Sequence, residues 1–288
     1  MIQDIAPHRY KNSYEPERPD RDSIVLYYEE GKCFVHLNAE GICFPTFAEA
    51  EELNPEIYEE YTYLFSIDEE RYYLVSNLNL KLLSKYRMEN TEIFRREKPG
   101  YRAFAGITGY QLYRWYATRR YCGKCGSRMK PDTKERMMQC EKCGNMEYPK
   151  ICPAVIIAVT DGDRILMSKY AGRTHKKYAL LAGFTEIGET AEETVKREVM
   201  EEVGLRVKNI RYYKSQPWSF TDTLLLGFYC DLDGEDNITL DREELVLAEW
   251  FERDEIPEMT SHDSLTNEMM MQFKYGKETK KGGSENRV

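Results

Sequence analysis

The segment 183–205, GFTEIGETAEETVKREVMEEVGL, constrains the fold of this chain more than any other stretch. Thr190 and Glu193 have the spacing of a capping box, which predicts a helix that begins just after Thr190. Gly204 follows the last predicted helical residue, the position at which helices commonly end with a left-handed glycine. An apolar stripe recurs every four residues between these ends, formed by Ala191, Val195, Val199 and Val203. The segment therefore predicts an amphipathic helix that packs against a core.

Three glutamates of this helix are predicted to share one exposed face, opposite the valine stripe. Glu198, Glu201 and Glu202 lie three or four residues apart, and like charges at that spacing destabilise a bare helix. A divalent cation would remove the repulsion, and Mg²⁺ and Mn²⁺ favour oxygen ligands that they share with the phosphates of a substrate. The alternative interpretation is an acidic face in contact with solvent.

A longer pattern contains these glutamates: Gly183, five residues, Glu189, seven residues, then Arg197-Glu198-Val199-x-Glu201-Glu202-x-Gly204-Leu205. It resembles the Nudix box of hydrolases that split a nucleoside diphosphate linked to another group. The resemblance implies an α/β/α sandwich in which Gly183, Glu189 and Arg197 orient the loop and the helix. It implies metal binding and catalysis by Glu198, Glu201 and Glu202, with a further metal ligand in the backbone carbonyl of Ala182.

Strand-like runs flank the box. Ala154 to Val159 and Arg164 to Met167 are separated by Asp161-Gly162-Asp163, which predicts a hairpin, and Leu224 to Cys230 predicts another strand. Glu244 follows this last strand, and the resemblance offers it as a further metal ligand. A surface acid with no ligand role is the alternative.

Two C-x-x-C pairs precede the box. Cys122 and Cys125 are followed, after fourteen residues, by Cys140 and Cys143, which predicts one structural Zn²⁺ per subunit. The chain has eight cysteines and no secretory signal pattern, so a reducing, cytoplasmic location is expected. Arginines and lysines around these pairs could bind an RNA backbone. The net charge of −9 favours the alternative, in which these side chains only contact solvent.

The segment 215–223, SQPWSFTDT, follows the box. Its two rings offer flat apolar walls to a nucleobase, while its amide and hydroxyl groups can bind polar edges. A strand with core aromatics is the alternative. The order of a zinc ribbon, Tyr148-Pro149-x-x-x-Pro153, a Nudix box and SQPW-x-F resembles the NADH pyrophosphatase family of Nudix hydrolases.

That narrower resemblance implies a substrate site. The family motif reads S-Q-P-W-P-F-P-x-S, so Ser219 and Thr221 replace two prolines and make the segment less rigid. The resemblance implies that Tyr148, from the partner subunit of a homodimer, and Phe184 stack on the nicotinamide. The full set of implied substrate-binding residues is Glu135, Tyr148, Phe184, Gln216, Pro217, Trp218, Ser219, Phe220, Thr221, Asp222, Thr223 and Thr266.

The function implied is hydrolysis of NADH or NAD⁺ to nicotinamide mononucleotide and AMP, with about two or three Mg²⁺ or Mn²⁺ per subunit. NAD-capped RNA presents the same pyrophosphate and is a further expected substrate. One alternative is a Nudix hydrolase of another nucleoside diphosphate, such as ADP-ribose. Another is a non-catalytic Nudix sensor or RNA-binding ribbon protein, against which the intact box argues.

The length of 288 residues predicts two or three domains. We expect an N-terminal α+β domain over 1–115, a zinc ribbon over 116–150, a Nudix domain over 151–275 and a disordered tail over 276–288. Predicted elements outside the box are strands at Ile24 to Tyr28, Cys33 to Leu37 and Tyr72 to Ser76, and helices at Ala103 to Tyr116 and Asn267 to Phe273. No apolar run approaches the roughly 20 residues that cross a bilayer, so no membrane partner is expected.

Overall fold

The computed structural model describes residues 1–80, 85–172, 177–259 and 264–278, and it divides the chain into two compact units. The N-terminal unit comprises Ile2–Lys150 and Ser219–Asp222. The C-terminal unit comprises Met1, Ile151–Trp218 and the chain from Thr223 onward. The finer division at residues 115, 150 and 275 stays a prediction. Most of the tail predicted to be disordered, 279–288, lies outside the described residues.

Two small sheets and one long helix precede the cysteine pairs in the N-terminal unit. One sheet has the strand order β1-β6-β7-β2, and in the other β4 pairs with β3, β5 and β8. The strands are β1 (Tyr10–Lys11), β2 (Ile24–Leu26), β3 (Tyr28–Glu29), β4 (Lys32–Asn38), β5 (Gly41–Cys43), β6 (Tyr61–Ile67), β7 (Glu70–Val75) and β8 (Arg87–Asn90). The helices are α1 (Phe47–Ala50), a 3₁₀ turn (Thr91–Arg95) and α2 (Gly100–Thr118).

The predicted strand over Ile24 to Tyr28 is interrupted in the structure. Its first part, β2, pairs in parallel with β7, whereas β3 pairs antiparallel with β4. The break at Tyr27 therefore lets one apolar run serve two sheets, which the uniform hydrophobicity of the run could not reveal. The predicted helix over Ala103 to Tyr116 is confirmed as the interior of α2.

The cysteine-rich segment forms a separate small sheet at the end of the N-terminal unit. Its antiparallel order is β11-β10-β9, with β9 (Lys130–Pro131), β10 (Met138–Gln139) and β11 (Met146–Glu147). Each strand has two residues, and the buried cluster beneath them consists of Trp115, Cys122, Met129, Met138 and Cys140. So small a core needs an additional cross-link to remain folded.

A six-stranded mixed sheet dominates the C-terminal unit. Its order is β15-β16-β12-β13-β17, with β14 also paired to β12, and β12 runs parallel to β16. The strands are β12 (Cys152–Asp161), β13 (Arg164–Tyr170), β14 (Leu181–Phe184), β15 (Val207–Trp218), β16 (Thr223–Leu232) and β17 (Leu245–Glu252). The predicted hairpin is confirmed as β12 and β13, which join antiparallel at Thr160 and Ile165.

One helix covers each face of this sheet. Alternate residues of a strand point to opposite faces, and β12 follows this rule. Val155 and Ile157 share a core cluster with the valine stripe of α3 (Ala191–Val203), whereas Ile156 and Ala158 share one with α4 (Leu265–Lys274). The α/β/α sandwich is therefore confirmed. Among the described residues, no helix is long and apolar enough to cross a membrane.

Both predicted ends of α3 are confirmed. The Thr190 hydroxyl accepts a hydrogen bond from the Glu193 N–H at 3.2 Å, and the Glu193 carboxylate accepts one from the Thr190 N–H at 2.8 Å. Gly204 ends the helix with φ of +69°. These caps fix which α3 side chains face the sheet.

Gly204→Ala should lower the free energy of unfolding by more than about 1–2 kcal/mol, which is the usual cost of a left-handed alanine. The excess arises because a Cβ at residue 204 would lie 3.0 Å from the Thr239 Cβ. Gly162→Ala is a matched control, since Gly162 has φ of +61° and open space around it. Urea denaturation of both variants checks this, and equal losses would contradict a role for the Thr239 contact.

Candidate metal and substrate site

Of the three box glutamates on α3, two are buried, so the prediction that all three share an exposed face was wrong. Glu202 is 1% exposed and Glu198 is 8% exposed, whereas Glu201 faces solvent. The cause is β14, which lies beside α3: the Glu198 carboxyl occupies the space where a Cβ on Gly183 would be. Helical periodicity places residues around an axis but does not show that a strand covers a second side of the helix.

Glu202 is a buried carboxyl with no hydrogen-bond partner among the described residues. Neither of its oxygens accepts a hydrogen bond within normal geometry. Burial raises the pKa of Glu202 to about 8, the negative charges of Glu198 and Glu244 add to the rise, and the Ala182 backbone N–H only partly offsets it. Burial likewise raises the pKa of Glu198. A buried charge without a partner is costly, so these carboxyls fit a divalent cation.

Arg197 ties α3 to the loop that precedes it. Its Nε and Nη2 donate to the two carboxylate oxygens of Glu189 at 2.6 and 2.9 Å, and Nη2 also donates to the Phe184 carbonyl at 3.0 Å. Its Nη1 donates to Glu198 at 2.8 Å and to Glu201 at 2.9 Å. The hydrogen bonds from Arg197 lower the pKa of Glu189 to about 2. One guanidinium thus orients both the loop and two of the candidate ligands.

The other two candidate ligands lie close to Glu202. Ala182 belongs to β14, where it pairs with Ile156 of β12. Glu244 is exposed in the turn before β17, near enough for its charge to raise the pKa of both Glu198 and Glu202. Among the described residues, however, no three carboxylates have ligand oxygens within 4.8 Å of one another. The sulfur atoms of Cys122, Cys125, Cys140 and Cys143 do lie that close together.

Gly183→Ala should weaken Mn²⁺ binding at least about tenfold. This is the lower end of the loss of affinity seen when groups that orient metal ligands are changed. A Cβ there would lie 1.8 Å from the Glu198 Cδ, so the carboxylate must move. Gly188→Ala in the same loop is the control, because Gly188 has φ of +96° but no neighbour within 4 Å. Mn²⁺ titration followed by electron paramagnetic resonance measures both, and equal affinities in the two variants would contradict the clash.

Protein freed of Mg²⁺ and Mn²⁺ should lose stability as the pH rises from about 4.5 towards about 8. The unfolded Glu202 carboxyl releases its proton near the ordinary glutamate pKa of 4.5, whereas the folded one retains it to about pH 8. Folding therefore takes up a proton in this window, and stability falls until the folded group ionises.

Urea denaturation at several pH values, on dialysed protein that retains its zinc, tests this pH dependence. Glu202→Gln should flatten the slope, while Glu192→Gln, an exposed change on the same helix, should not. An unchanged slope in Glu202→Gln would contradict the assignment.

The four ribbon cysteines form a site with the dimensions of a zinc centre. The Sγ atoms of Cys122 and Cys143 are 3.6 Å apart, and those of Cys125 and Cys140 are 3.5 Å apart. Tetrahedral Zn–S bonds of about 2.3 Å place sulfurs at about 3.8 Å. Hydrogen bonds from Ser127 lower the pKa of the Cys125 thiol, which favours the thiolate ligand. The quartet therefore fits structural Zn²⁺.

The candidate substrate motif is divided between the two units. Its first part ends β15, where Gln216 is fully buried and its Oε1 accepts a hydrogen bond from the Leu265 N–H at 2.7 Å. Pro217 is exposed, and Trp218 forms the last ladder pair with Thr223. Ser219, Phe220, Thr221 and Asp222 belong to the N-terminal unit.

The two rings proposed to stack on a substrate are half exposed in their own units. Phe184 is 55% exposed at the end of β14. Tyr148 is 54% exposed after the ribbon, and its hydroxyl donates to the Glu135 carboxylate at 2.8 Å. Tyr148 and Glu135 thus lie together, and both rings are open to a ligand.

Two residues that hold the candidate substrate segments in place, Glu268 and Arg114, were not predicted from the sequence. The predicted residue Thr266 lies in the first turn of α4. Glu268 joins that turn to β15, because its carboxylate accepts hydrogen bonds from Tyr213 Oη at 2.8 Å and Lys214 Nζ at 2.6 Å. Arg114 of α2 donates to the backbone of the motif at Ser219 and Phe220. Neither Glu268 nor Arg114 belongs to a recognisable pattern, because both contacts join segments that are distant in the chain.

The sandwich and its helix with buried glutamates define the class of domain: residues 150–273 match the NUDIX domain. Residues 117–148 match the NADH pyrophosphatase zinc ribbon domain. The chain therefore contains a zinc ribbon of the NADH pyrophosphatase type followed by a NUDIX domain, as the resemblance predicted.

Curated relatives match about half of this chain at moderate identity. The chain is 43% identical over 149 residues to the NAD-capped RNA hydrolase NudC of Shigella dysenteriae serotype 1, covering 52% of this chain and 58% of that protein. It is 42% identical over 162 residues to the NudC of Klebsiella pneumoniae subsp. pneumoniae, covering 56% and 62%. The chain thus spans about three fifths of the length of these relatives.

A crystal structure of a NUDIX hydrolase from Nitrosomonas europaea is similar over part of the chain. Its sequence identity is 22% and its TM-score is 0.46, and the match covers 54% of this chain and 90% of that one.

Proposed function

We propose that the protein hydrolyses the pyrophosphate bond of NADH or NAD⁺ to nicotinamide mononucleotide and AMP, and that it removes NAD caps from RNA. The observation that carries the proposal is the buried, unpartnered Glu202 in a NUDIX domain that follows an NADH pyrophosphatase zinc ribbon in the same chain. Curated relatives named NAD-capped RNA hydrolase support the removal of NAD caps.

Glu198, Glu201, Glu202, Glu244 and the Ala182 carbonyl are the proposed ligands of Mg²⁺ or Mn²⁺. When bound, such cations neutralise a diphosphate and lower the pKa of a water molecule. Arg197 and Glu189 hold the loop and the helix in place. In the proposed reaction the water oxygen bonds to one phosphorus, the bridging P–O bond breaks, and the second nucleotide leaves with the bridging oxygen.

Phe184 and Tyr148 are the proposed stacking partners of the nicotinamide ring, since both are half exposed. We propose that the substrate contacts extend over residues 216–223 with Glu135 and Thr266. A homodimer in which Tyr148 serves the partner's site belongs to the proposal, and light scattering should give twice the chain mass. All eight cysteines are free of disulfides, which supports the cytoplasm as the location.

A substrate panel tests the proposed specificity. One purified sample is assayed with NADH, NAD⁺, ADP-ribose, diadenosine polyphosphate and NAD-capped RNA, in Mg²⁺ and separately in Mn²⁺. The expected result is the highest kcat/KM for a nicotinamide dinucleotide or for NAD-capped RNA. A preference for ADP-ribose of about tenfold, equivalent to about 1.4 kcal/mol, would overturn the proposed specificity.

A further inference from the structure

The loop 219–222 joins β15 to β16 immediately after the last ladder pair, Trp218 and Thr223. Asp222 has φ of +59°, a left-handed backbone that is unfavourable for a residue with a side chain. Ser219 and Thr221 stand where the motif described above carries prolines, so no ring fixes φ at these two positions. The loop conformation therefore depends on contacts from elsewhere.

Arg114 of α2 supplies those contacts from within the N-terminal unit. Its Nη2 donates to the Ser219 carbonyl at 2.7 Å, and its Nη1 donates to the Phe220 carbonyl at 3.1 Å. Nη2 also forms an ion pair with the Asp222 carboxylate. One planar guanidinium thus holds two successive carbonyls and the residue with the left-handed backbone. Charge-assisted hydrogen bonds of this kind are roughly twice as strong as neutral ones.

The groups around this clamp are themselves held in place. The Arg114 guanidinium lies 4.7 Å from the ring centroid of Tyr110, one turn earlier on α2. The Phe220 ring packs against the core of the N-terminal unit and lies 3.8 Å beneath the Arg95 guanidinium. The loop is therefore anchored through its backbone by Arg114 and through one side chain by Phe220.

We infer that Arg114 is a positioning residue for the substrate motif. Its hydrogen bonds fix the backbone of loop 219–222, a restriction that prolines at residues 219 and 221 would supply if they were present. The loop is bounded by Trp218 and Thr223, so we expect a change in its order to alter the surroundings of the Trp218 ring. The inference rests on the proposed function for its kinetic consequence. Its expected signature is weaker substrate binding with an unchanged chemical step, because the metal-binding carboxylates lie on other segments.

The test compares Arg114→Ala, Ser219→Pro/Thr221→Pro and the combination of all three changes with the wild-type protein. Arg21→Ala is the control, since Arg21 forms an exposed ion pair with Glu51 in the same unit. One readout is the ¹⁹F resonance of 5-fluorotryptophan at residue 218, assigned with Trp218→Phe and recorded without substrate. The other is steady-state hydrolysis of NADH, with KM and kcat determined separately.

Arg114→Ala is expected to broaden or split the residue 218 resonance and to raise KM about tenfold, about 1.4 kcal/mol of binding, with kcat within about twofold. The prolines should restore a single sharp resonance and recover most of the KM in the Arg114→Ala background. Arg114→Lys should recover only part, because an ammonium cannot reproduce the planar fork.

A wild-type resonance and a wild-type KM in Arg114→Ala would overturn the inference. So would a combined variant that melts at the wild-type temperature yet keeps the raised KM and the broadened resonance. Absence of NADH hydrolysis by the wild-type protein would instead contradict the proposed function, and the resonance comparison would still decide the role of Arg114.

Discussion

Glu202→Gln protein is expected to hydrolyse NADH at least about 100-fold more slowly than the wild-type protein in saturating Mg²⁺ or Mn²⁺. Changes to groups that merely orient metal ligands already cost about 10- to 100-fold, and Glu202 is a proposed ligand itself. Glutamine keeps the volume of the side chain but removes the negative charge that would face the cation. The measurement is kcat under saturating substrate, together with Mn²⁺ affinity.

Glu192→Gln is the matched control for this change, because it removes one charge from an exposed position of the same helix. It should leave kcat unchanged. The Glu202→Gln protein should also remain folded without metal, since neither oxygen of Glu202 takes part in a hydrogen bond that folding requires. Full NADH hydrolysis by a folded Glu202→Gln protein would contradict the proposed metal site.

Cys140→Ser is expected to abolish zinc binding and to unfold the ribbon. The ribbon strands have two residues each, and Cys140 is completely buried among the few side chains beneath them. Structural zinc contributes apparent binding energies of about 10–16 kcal/mol to small domains of this kind, which exceeds what so small a core provides. Metal analysis should find about one zinc per wild-type chain and almost none in the variant.

Cys152→Ser is the control for this change, since Cys152 begins β12 and lies outside the quartet. Its zinc content should equal that of the wild-type protein. Hydrogen exchange over residues 117–148 should rise strongly in Cys140→Ser and remain slow in Cys152→Ser. Slow exchange in zinc-free Cys140→Ser protein would contradict the dependence of the ribbon on metal.

The elements that were predicted correctly are those whose signals are local in the chain. The capping box at Thr190 and the left-handed Gly204 set the ends of α3 through contacts within a few residues, and both are present in the structure. The C-x-x-C pairs were predictable for the same reason, since the short turn within each pair places its two sulfur atoms close together. The valine stripe predicted which face of α3 is packed, because helical periodicity depends on the backbone alone.

The environment of the glutamates depended on the tertiary structure. The sequence predicted three exposed box carboxylates, but β14 lies against Glu198, Glu202 is also buried, and only Glu201 of the three faces solvent. The raised pKa of Glu202 follows from that burial and from the charge of Glu244, which is 42 positions further along the chain. No local pattern encodes such an approach.

The sequence by itself determined the identities and spacing of the box, the cysteine quartet and the motif at 215–223, because these are read from neighbouring residues. Only the tertiary structure decided that Gln216 binds the first turn of α4 and that Arg114 holds the loop 219–222. The physical reason is that hydrogen bonds between distant segments require the whole fold to bring donor and acceptor together. Local patterns therefore specify which residues belong to the site. Tertiary packing sets the pKa and burial of Glu202 and the conformation of loop 219–222.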